Sequence, residues 1–283
     1  MLETEAVRIE RKILLPKIVQ YITARQNEDG GYTSVQYTDS TLYDTYLALE
    51  TLNMLGASFP RINDTITWVR NYNAINIRDY YFINKIFSLL NQPLIDISSQ
   101  ILNLMDSTGR FGASKVDVEA VSELETTFMC VELINMLNTK IPARKIIEFL
   151  LSLKNSDGGF GVEESSLNST FYALETLSIL DYPIVKLGET LHFVRSCENS
   201  EGGFSSKPGV KPSFMESTFM GLTCLKLLSE KPNYPNETIS FIIGCQNANG
   251  GFRRSLEHGI SSFEYTFQAV SSLEMLGVRV RLS

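Results

Sequence analysis

The sequence of 283 residues lacks several features that would assign it to a familiar class. It has no excess of basic residues, because 25 lysines and arginines stand against 32 aspartates and glutamates and give a formal net charge of −7. Nucleic-acid-binding proteins need clustered positive charge, so this balance argues against such a partner. Residues 1–10 alternate charged and apolar side chains and contain no apolar run long enough for a signal peptide or a membrane span. We therefore expect a cytoplasmic protein.

Cysteine, histidine and tryptophan are also scarce. The four cysteines lie tens of residues apart without a Cys-x-x-Cys pair, and there are only two histidines and one tryptophan. The cysteine spacing favours reduced thiols in the core over disulfides. Phosphate-binding loops of the Gly-Lys-Ser/Thr type, the dinucleotide fingerprint and the Gly-x-Ser-x-Gly elbow are all missing. The enzyme classes that these motifs mark therefore have no support in this sequence.

What the sequence does contain is an internal repeat. Paired glycines followed by an aromatic residue recur in the segments 27–32, 155–160, 199–204 and 247–252, and a degenerate copy occupies 107–111. Glycine pairs after Asn, Asp or Glu are typical of tight loops that need positive φ. Each loop is followed by a helical pattern, which we align on one anchor residue per copy: Thr45, Tyr80, Thr127, Thr170, Thr218 and Thr266.

The pattern around the anchors predicts an amphipathic helix in every copy. An aromatic residue follows each anchor, a mostly small residue stands three positions on, and apolar residues stand seven and ten positions on. These offsets match a helical period of about 3.6 residues. The predicted inner helices span 41–55, 78–90, 122–137, 165–180, 213–228 and 261–276. Residues that favour a helix C-terminus follow each of them: Gly56, Asn91, Asn138, Asp181, Ser229 and Gly277.

Six copies of a helix pair define the expected fold. A single pair cannot bury its apolar face, so neighbouring copies must stack to complete a core. Because the anchored helices are apolar on both faces, we expect the stack to close. The sequence therefore predicts an all-α protein, an α6/α6 toroid or barrel formed by residues 1–283 as a single domain.

The repeat resembles a known family over essentially the whole chain. Loops of the form Asn-x-Asp-Gly-Gly-Phe followed by Thr-aromatic helices are similar to those of the prenyltransferase and squalene-terpene cyclase repeat family. The loop 202–209 is similar to one in protein prenyltransferase β subunits. The resemblance implies an α/α toroid that binds or processes an isoprenoid in a central cavity, by prenyl transfer or terpene cyclisation.

Zinc ligands of the protein prenyltransferases are not matched. The resemblance puts Asn168 and Thr170 at the family's Asp and Cys ligands and Glu216 at its His ligand. Asn and Thr are not zinc ligands of structural or catalytic centres. We therefore predict no zinc centre, which argues against thiol prenylation, and we leave magnesium open.

The cyclase branch of the family protonates an alkene with an acidic residue two positions before the anchor. That column contains Glu125, Glu216 and Glu264 here, and we take these three as candidate catalytic acids. A buried carboxyl with a raised pKa serves as a general acid. Alternatively, these glutamates only accept backbone hydrogen bonds at the helix N-termini, or Glu216 and Glu264 meet as a divalent-metal or acid pair.

The aromatic column and a few basic residues are the candidate substrate-binding residues. By resemblance the aromatic column would line the central cavity; the other interpretation is plain packing between helices. The column consists of Tyr46, Tyr81, Phe128, Phe171, Phe219 and Phe267. Lys207, Lys211, Arg253 and Arg254, with His258 nearby, are candidates for binding an anionic head group, or they belong to solvated loops.

Three functions fit these observations. The first is an isoprenoid-processing enzyme that does without zinc. The second is a non-catalytic binder of an isoprenoid or other hydrophobic small molecule. The third is an interaction toroid whose surface meets a helical protein partner, as β subunits of prenyltransferases meet their α subunit.

Overall fold

The computed structural model describes residues 13–112, 122–257 and 259–282. These residues form twelve α-helices, in which outer and inner helices alternate along the chain. The outer helices are α1 (Leu15–Thr23), α3 (Ile62–Arg70), α5 (Ser98–Leu104), α7 (Ala143–Ser152), α9 (Gly188–Ser196) and α11 (Pro235–Gly244). The inner helices are α2 (Leu42–Leu55), α4 (Ile77–Leu89), α6 (Glu123–Met136), α8 (Leu167–Ile179), α10 (Met215–Leu227) and α12 (Phe263–Met275). The predicted inner helices agree with these bounds to within two residues at every end.

The inner helices form a closed ring. Each packs against the inner helices before and after it in the chain, and α12 packs against α2. The outer helices pack on the outside of this ring, for example α1 on α2 and α11 on α12. The predicted α/α toroid is therefore confirmed.

Each inner helix ends in the same way. The residue after its last leucine adopts a left-handed backbone conformation, with φ between 51° and 80° in all six copies. This conformation ends a helix by turning the chain away from the axis, and glycine and asparagine adopt it at the lowest steric cost. The predicted helix ends are thus confirmed at Gly56, Asn91, Asn138, Asp181, Ser229 and Gly277.

A buried threonine hydroxyl holds four of the glycine-rich loops on their inner helices. The backbone N–H of Phe204 donates to Thr218 Oγ1 at 3.1 Å, and the hydroxyl donates to the carbonyl of Phe214 at 2.8 Å. The first of these bonds recurs at Thr45, Thr170 and Thr266. At these four positions the anchor is therefore polar although it is fully buried, because the hydroxyl satisfies a loop N–H that has no helical partner.

The aromatic residue of each loop fills the space between the inner and outer helices. These side chains are fully buried: Tyr32, Phe111, Phe160, Phe204 and Phe252. A Cβ atom on Gly221 would lie 2.3 Å from the ring of Phe204, which explains why the position three residues after the anchor is small. The four cysteines are buried free thiols.

The ring closes through the same contact that joins neighbouring repeats. A Cβ atom on Gly158 would lie 2.2 Å from the carbonyl oxygen of Glu189 in the next outer helix. A Cβ atom on Gly250 would lie equally close, at 2.2 Å, to the carbonyl oxygen of Lys17 in α1. The last loop therefore packs on the first outer helix as the other loops pack on theirs.

The anchor hydrogen bond can be tested within one helix. Thr218→Val keeps the side-chain shape but leaves the buried N–H of Phe204 without an acceptor, so we expect a loss of about 2 kcal/mol in the free energy of unfolding. Thr223→Val is the control, since that hydroxyl donates only to the helix carbonyl of Phe219 and to the sulfur of Met275. The control should lose less than about 0.5 kcal/mol of unfolding free energy, as measured by urea unfolding. Equal losses would contradict the role of the anchor.

Ring closure can be tested with two glycines that share a left-handed conformation. Gly250 has φ 96° and meets the backbone of Lys17, whereas Gly56 has φ 69° and nothing within 4 Å of its added Cβ. Gly56→Ala should cost about 1 kcal/mol of backbone strain. Gly250→Ala should cost at least about 2 kcal/mol more, because backbone atoms must move apart. Similar unfolding free energies for the two variants would argue against a tight closure contact.

Candidate binding site on the toroid axis

A cavity of about 310 Å³ lies between the six inner helices, and all six contribute to its wall. Its lining follows the helical repeat, because it comes from positions two before the anchor and one, two and five after it. These offsets form one face of a helix. The cavity therefore consists of an upper polar layer, an aromatic belt and a lower polar layer along the axis.

The aromatic belt is a closed ring of eight side chains. It contains the six predicted column residues together with Phe82 and Tyr172, which insert between neighbouring members. Around the axis the order is Tyr46, Phe82, Tyr81, Phe128, Tyr172, Phe171, Phe219 and Phe267. Neighbouring ring centroids are 5.1 to 6.3 Å apart, and the ring closes between Tyr46 and Phe267 at 6.5 Å. The column thus both packs between helices and lines the cavity.

The upper polar layer contains Tyr43, Arg78, Glu125 and Glu264. Tyr43 is hydrogen-bonded to Glu264, and Tyr172 to Glu125. The guanidinium of Arg78 lies 5.5 Å from the centroid of the Tyr43 ring. Burial raises the pKa of Glu264, and the negative charge of Glu216 raises it further. Glu264 therefore keeps its proton to a higher pH than an exposed glutamate does.

The lower polar layer contains Glu50, Lys85, Glu132 and Glu175, one from each of four consecutive inner helices. Lys85 Nζ lies 2.7 Å from Glu132 Oε1, and the Tyr81 hydroxyl donates to Glu132 Oε2 at 2.5 Å. Burial, with a smaller contribution from Glu132, raises the pKa of Glu175 to about 6. A second cavity of about 220 Å³ begins at this layer and is also lined by Glu50, Lys85 and Glu132.

The third predicted acid lies at the edge of this arrangement. Glu216 accepts a hydrogen bond from Arg254 Nε at 2.6 Å, and the Arg254 guanidinium stacks 4.2 Å from the centroid of the Phe214 ring. Arg253 donates to backbone carbonyls of its own loop, including that of Ser255 at 2.9 Å. His258 lies outside the described residues.

The two predicted lysines lie in the loops on the outside of the cavity. Lys207 forms an ion pair with Glu164. Lys211 Nζ lies 3.1 Å from Glu201 Oε1. Both lysines are exposed, and the axial cavity is lined by other residues. The structure thus brings together the aromatic column with Glu125 and Glu264. It leaves Lys207, Lys211 and Arg254 in ion pairs outside the cavity and Arg253 bonded within its own loop.

The positions that the resemblance assigns to zinc do not offer a zinc donor set. The Thr170 hydroxyl accepts the N–H of Phe160 at 3.0 Å and donates to the carbonyl of Ser166 at 2.8 Å. Asn168 is exposed and Glu216 is paired with Arg254. In the described part of the chain, no three His, Cys, Asp or Glu side chains are arranged to hold a metal ion.

Comparison with known proteins identifies the family. The sequence model of the prenyltransferase alpha-alpha toroid domain matches residues 6–74, 69–235 and 211–282. The chain therefore belongs to this family. Curated protein sequences give no match.

Solved structures share the fold at low sequence identity. Candida albicans protein geranylgeranyltransferase-I complexed with GGPP has a TM-score of 0.72 at 19% identity, covering 93% of this chain and 91% of that one. A variant of the type II terpene cyclase MstE from Scytonema, in complex with geranylgeranyl dihydroxybenzoate, has a TM-score of 0.62 at 10% identity, covering 99% of each chain. A glycosidase variant in complex with glucose reaches 0.60 at 10% identity, covering 97% and 98%. These likenesses show the fold and leave the chemistry to be argued from the cavity.

The described helices contain none that is both long enough and apolar enough to cross a membrane.

Sequence reasoning missed the lower polar layer, although a signal was present. Counting five positions on from each anchor gives a column that is polar throughout: Glu50, Lys85, Glu132, Glu175, Thr223 and Ser271. Polar residues at a position between buried apolar ones indicate a wet or ligand-facing surface. The aromatic column one turn before it, on the same helix face, would have placed this layer on the axis.

The Lys85–Glu132 pair can be tested by a double-mutant cycle. The side chains are 23% and 18% exposed, so Lys85→Met should cost about 2 kcal/mol of unfolding free energy by leaving Glu132 with only the Tyr81 hydroxyl. The double variant Lys85→Met/Glu132→Leu should recover most of this loss, since it removes both charges. Additive losses in urea unfolding would show that the two side chains act independently.

Proposed function

We propose that this toroid binds an isoprenoid or a comparably hydrophobic small molecule in the axial cavity, and that carboxyl groups of the upper polar layer exchange protons with it. The observation that carries the proposal is the closed belt of eight aromatic side chains below Glu125 and Glu264. Aromatic faces bind apolar chains and stabilise positive charge that develops beside them.

The dimensions of the cavity support a short isoprenoid chain. Its volume of about 310 Å³ is at the lower end of small-molecule sites, which span about 300 to 1,000 Å³. The two polar layers are separated by seven residues of helix, or about 10 Å along the axis. A chain of that length lies inside the aromatic belt with one end at each polar layer.

Glu264 is the candidate proton donor. It lines the cavity above the belt, and burial and the charge of Glu216 raise the pKa of its carboxyl. In the proposed reaction the Glu264 carboxyl gives its proton to a double bond at the upper end of the chain and becomes a carboxylate. The resulting carbocation, stabilised by the aromatic belt, then loses a proton from a neighbouring carbon to the base and becomes an alkene again. Glu125 lines the same layer and is the candidate base, while Glu216 acts on Glu264 through its charge.

The relatives support an isoprenoid ligand by analogy only. The geranylgeranyltransferase-I structure contains GGPP, and the MstE structure contains geranylgeranyl dihydroxybenzoate. The side chains that replace zinc ligands here lead us to propose that zinc is not required, and magnesium remains a cofactor to test. The cytoplasmic location and a helical protein partner also remain proposals.

Ligand retention and turnover test this function. The purified protein is incubated with radiolabelled geranyl, farnesyl and geranylgeranyl diphosphates, the corresponding alcohols and squalene, with and without magnesium or zinc. We expect retention of at least one compound and formation of a product. Glu264→Gln should lower product formation by about 10²-fold to 10⁴-fold with little change in retention, and Glu125→Gln should also lower it.

Glu274→Gln is the matched control, because Glu274 is an exposed residue of the same helix as Glu264. This control should retain ligand and form product as the unchanged protein does. Retention without product would make the protein a binder and would refute proton transfer. If the protein neither retains a ligand nor forms a product, the proposal is refuted and the interaction toroid is favoured.

A further inference from the structure

The lower polar layer carries more negative than positive charge. Three carboxyls, from Glu50, Glu132 and Glu175, surround the single ammonium of Lys85. Lys85 is bound to Glu132 at 2.7 Å, so its charge is already engaged. The layer therefore has a surplus of acid in a half-buried place between helices.

Glu175 is the carboxyl with the weakest compensation. No hydrogen-bond donor within the described residues reaches it, and the charged groups that act on it are Glu132, Lys85 and Lys226. Its own helix also presents Phe171 one turn away to the same cavity. A carboxylate beside aromatic faces is a suitable environment for an organic cation.

A buried amide provides a second and independent sign of a hydrogen-bond donor in the ligand. Gln268 lines the same cavity and is 5% exposed. Its Nε2 donates to Glu264 Oε1 at 3.3 Å, while its Oε1 is buried without a donor within the described residues. Gln268 lies two positions after its anchor, at the level of the aromatic belt, so this acceptor is separate from the lower polar layer. An unsatisfied buried acceptor costs free energy, and a hydrogen-bond donor on the part of the ligand beside it would remove that cost.

We propose that the ligand of the axial cavity is a positively charged, isoprenoid-like amine, whose ammonium group binds in the lower polar layer against Glu175 and Glu132 while its hydrocarbon chain lies in the aromatic belt. This inference rests on the proposed function, because it assumes that the cavity binds a hydrophobic molecule. A diphosphate in the same orientation would meet three carboxyls and one engaged lysine. The carboxyls of the described residues are also not grouped to hold a metal ion.

Binding of a cation has a defined pH dependence here. The pKa of Glu175 is about 6, so this carboxyl is largely protonated at pH 5 and ionised at pH 7. An ammonium ligand favours the ionised form, and affinity should therefore rise from pH 5 to 7 and then level off. Burial also raises the pKa of Glu50, which acts in the same direction, whereas an aliphatic amine stays charged throughout because its pKa is about 10.

Three probes with one hydrocarbon chain test the inference: geranylamine, geraniol and geranyl diphosphate, measured by calorimetry on the full chain at pH 5, 6, 7 and 8. At pH 7 we expect geranylamine to bind at least about tenfold more tightly than geraniol, with geranyl diphosphate weakest. Glu175→Gln should remove most of this preference and flatten the pH dependence. Glu175→Asp should keep part of the preference for geranylamine and part of the pH dependence. Glu274→Gln should change neither the preference nor the pH dependence.

The outcomes separate the two proposals. Geraniol binding as tightly as geranylamine, or an unchanged preference in a folded Glu175→Gln variant, would overturn the cationic ligand and leave a hydrophobic binding cavity. Tightest binding of geranyl diphosphate would overturn it as well. Binding of none of the three would refute the proposed function together with this inference.

Discussion

The hydroxyl of the anchor threonine accepts a backbone N–H from the glycine-rich loop and donates to its own helix, and the toroid depends on this arrangement. The bond fixes where the loop crosses the inner helix and directs the loop aromatic residue, such as Phe204, into the space behind that helix. With the loop in place, its glycine packs on the next outer helix. One local hydrogen bond thereby sets the contact between successive repeats, and repetition of that contact around the axis closes the ring.

Fold and site use opposite faces of the same six helices. The anchor and the positions three, seven and ten residues after it face outward and carry the packing. The positions two before the anchor and one, two and five after it face the axis and carry the aromatic and charged side chains. Substitution on the axial face leaves the loop contacts unchanged, so the family can present different chemistry on one scaffold. The shared fold of a geranylgeranyltransferase, a terpene cyclase and a glycosidase is consistent with this separation.

Most of the fold could be predicted from the sequence because its determinants are local. The repeated loop, the helical period and the residues that end each helix, from Gly56 to Gly277, are properties of short segments. The candidate site was only partly predictable, because it depends on which side chains meet across the axis. The aromatic column was found, whereas Phe82 and Tyr172 were missed since each lies beside the column and completes it only in three dimensions. Two ion pairs also join residues that are distant in the sequence. Arg254 pairs with Glu216, 38 positions away, and Lys85 pairs with Glu132, 47 positions away.

The closure between α12 and α2 has a consequence for how the molecule opens. Within a repeat the anchor bond spans 14 residues, as between Phe204 and Thr218. Across the seam between the last and first repeats, Leu14 is bonded to Gln246, which is 232 residues away. Joining ends that far apart in an unfolded chain costs about 2.5 kcal/mol more in loop-closure entropy. The seam is also where the aromatic belt is widest, at 6.5 Å between Tyr46 and Phe267. Parting of these two helices would therefore lose a contact that the chain can re-form only against this loop-closure cost.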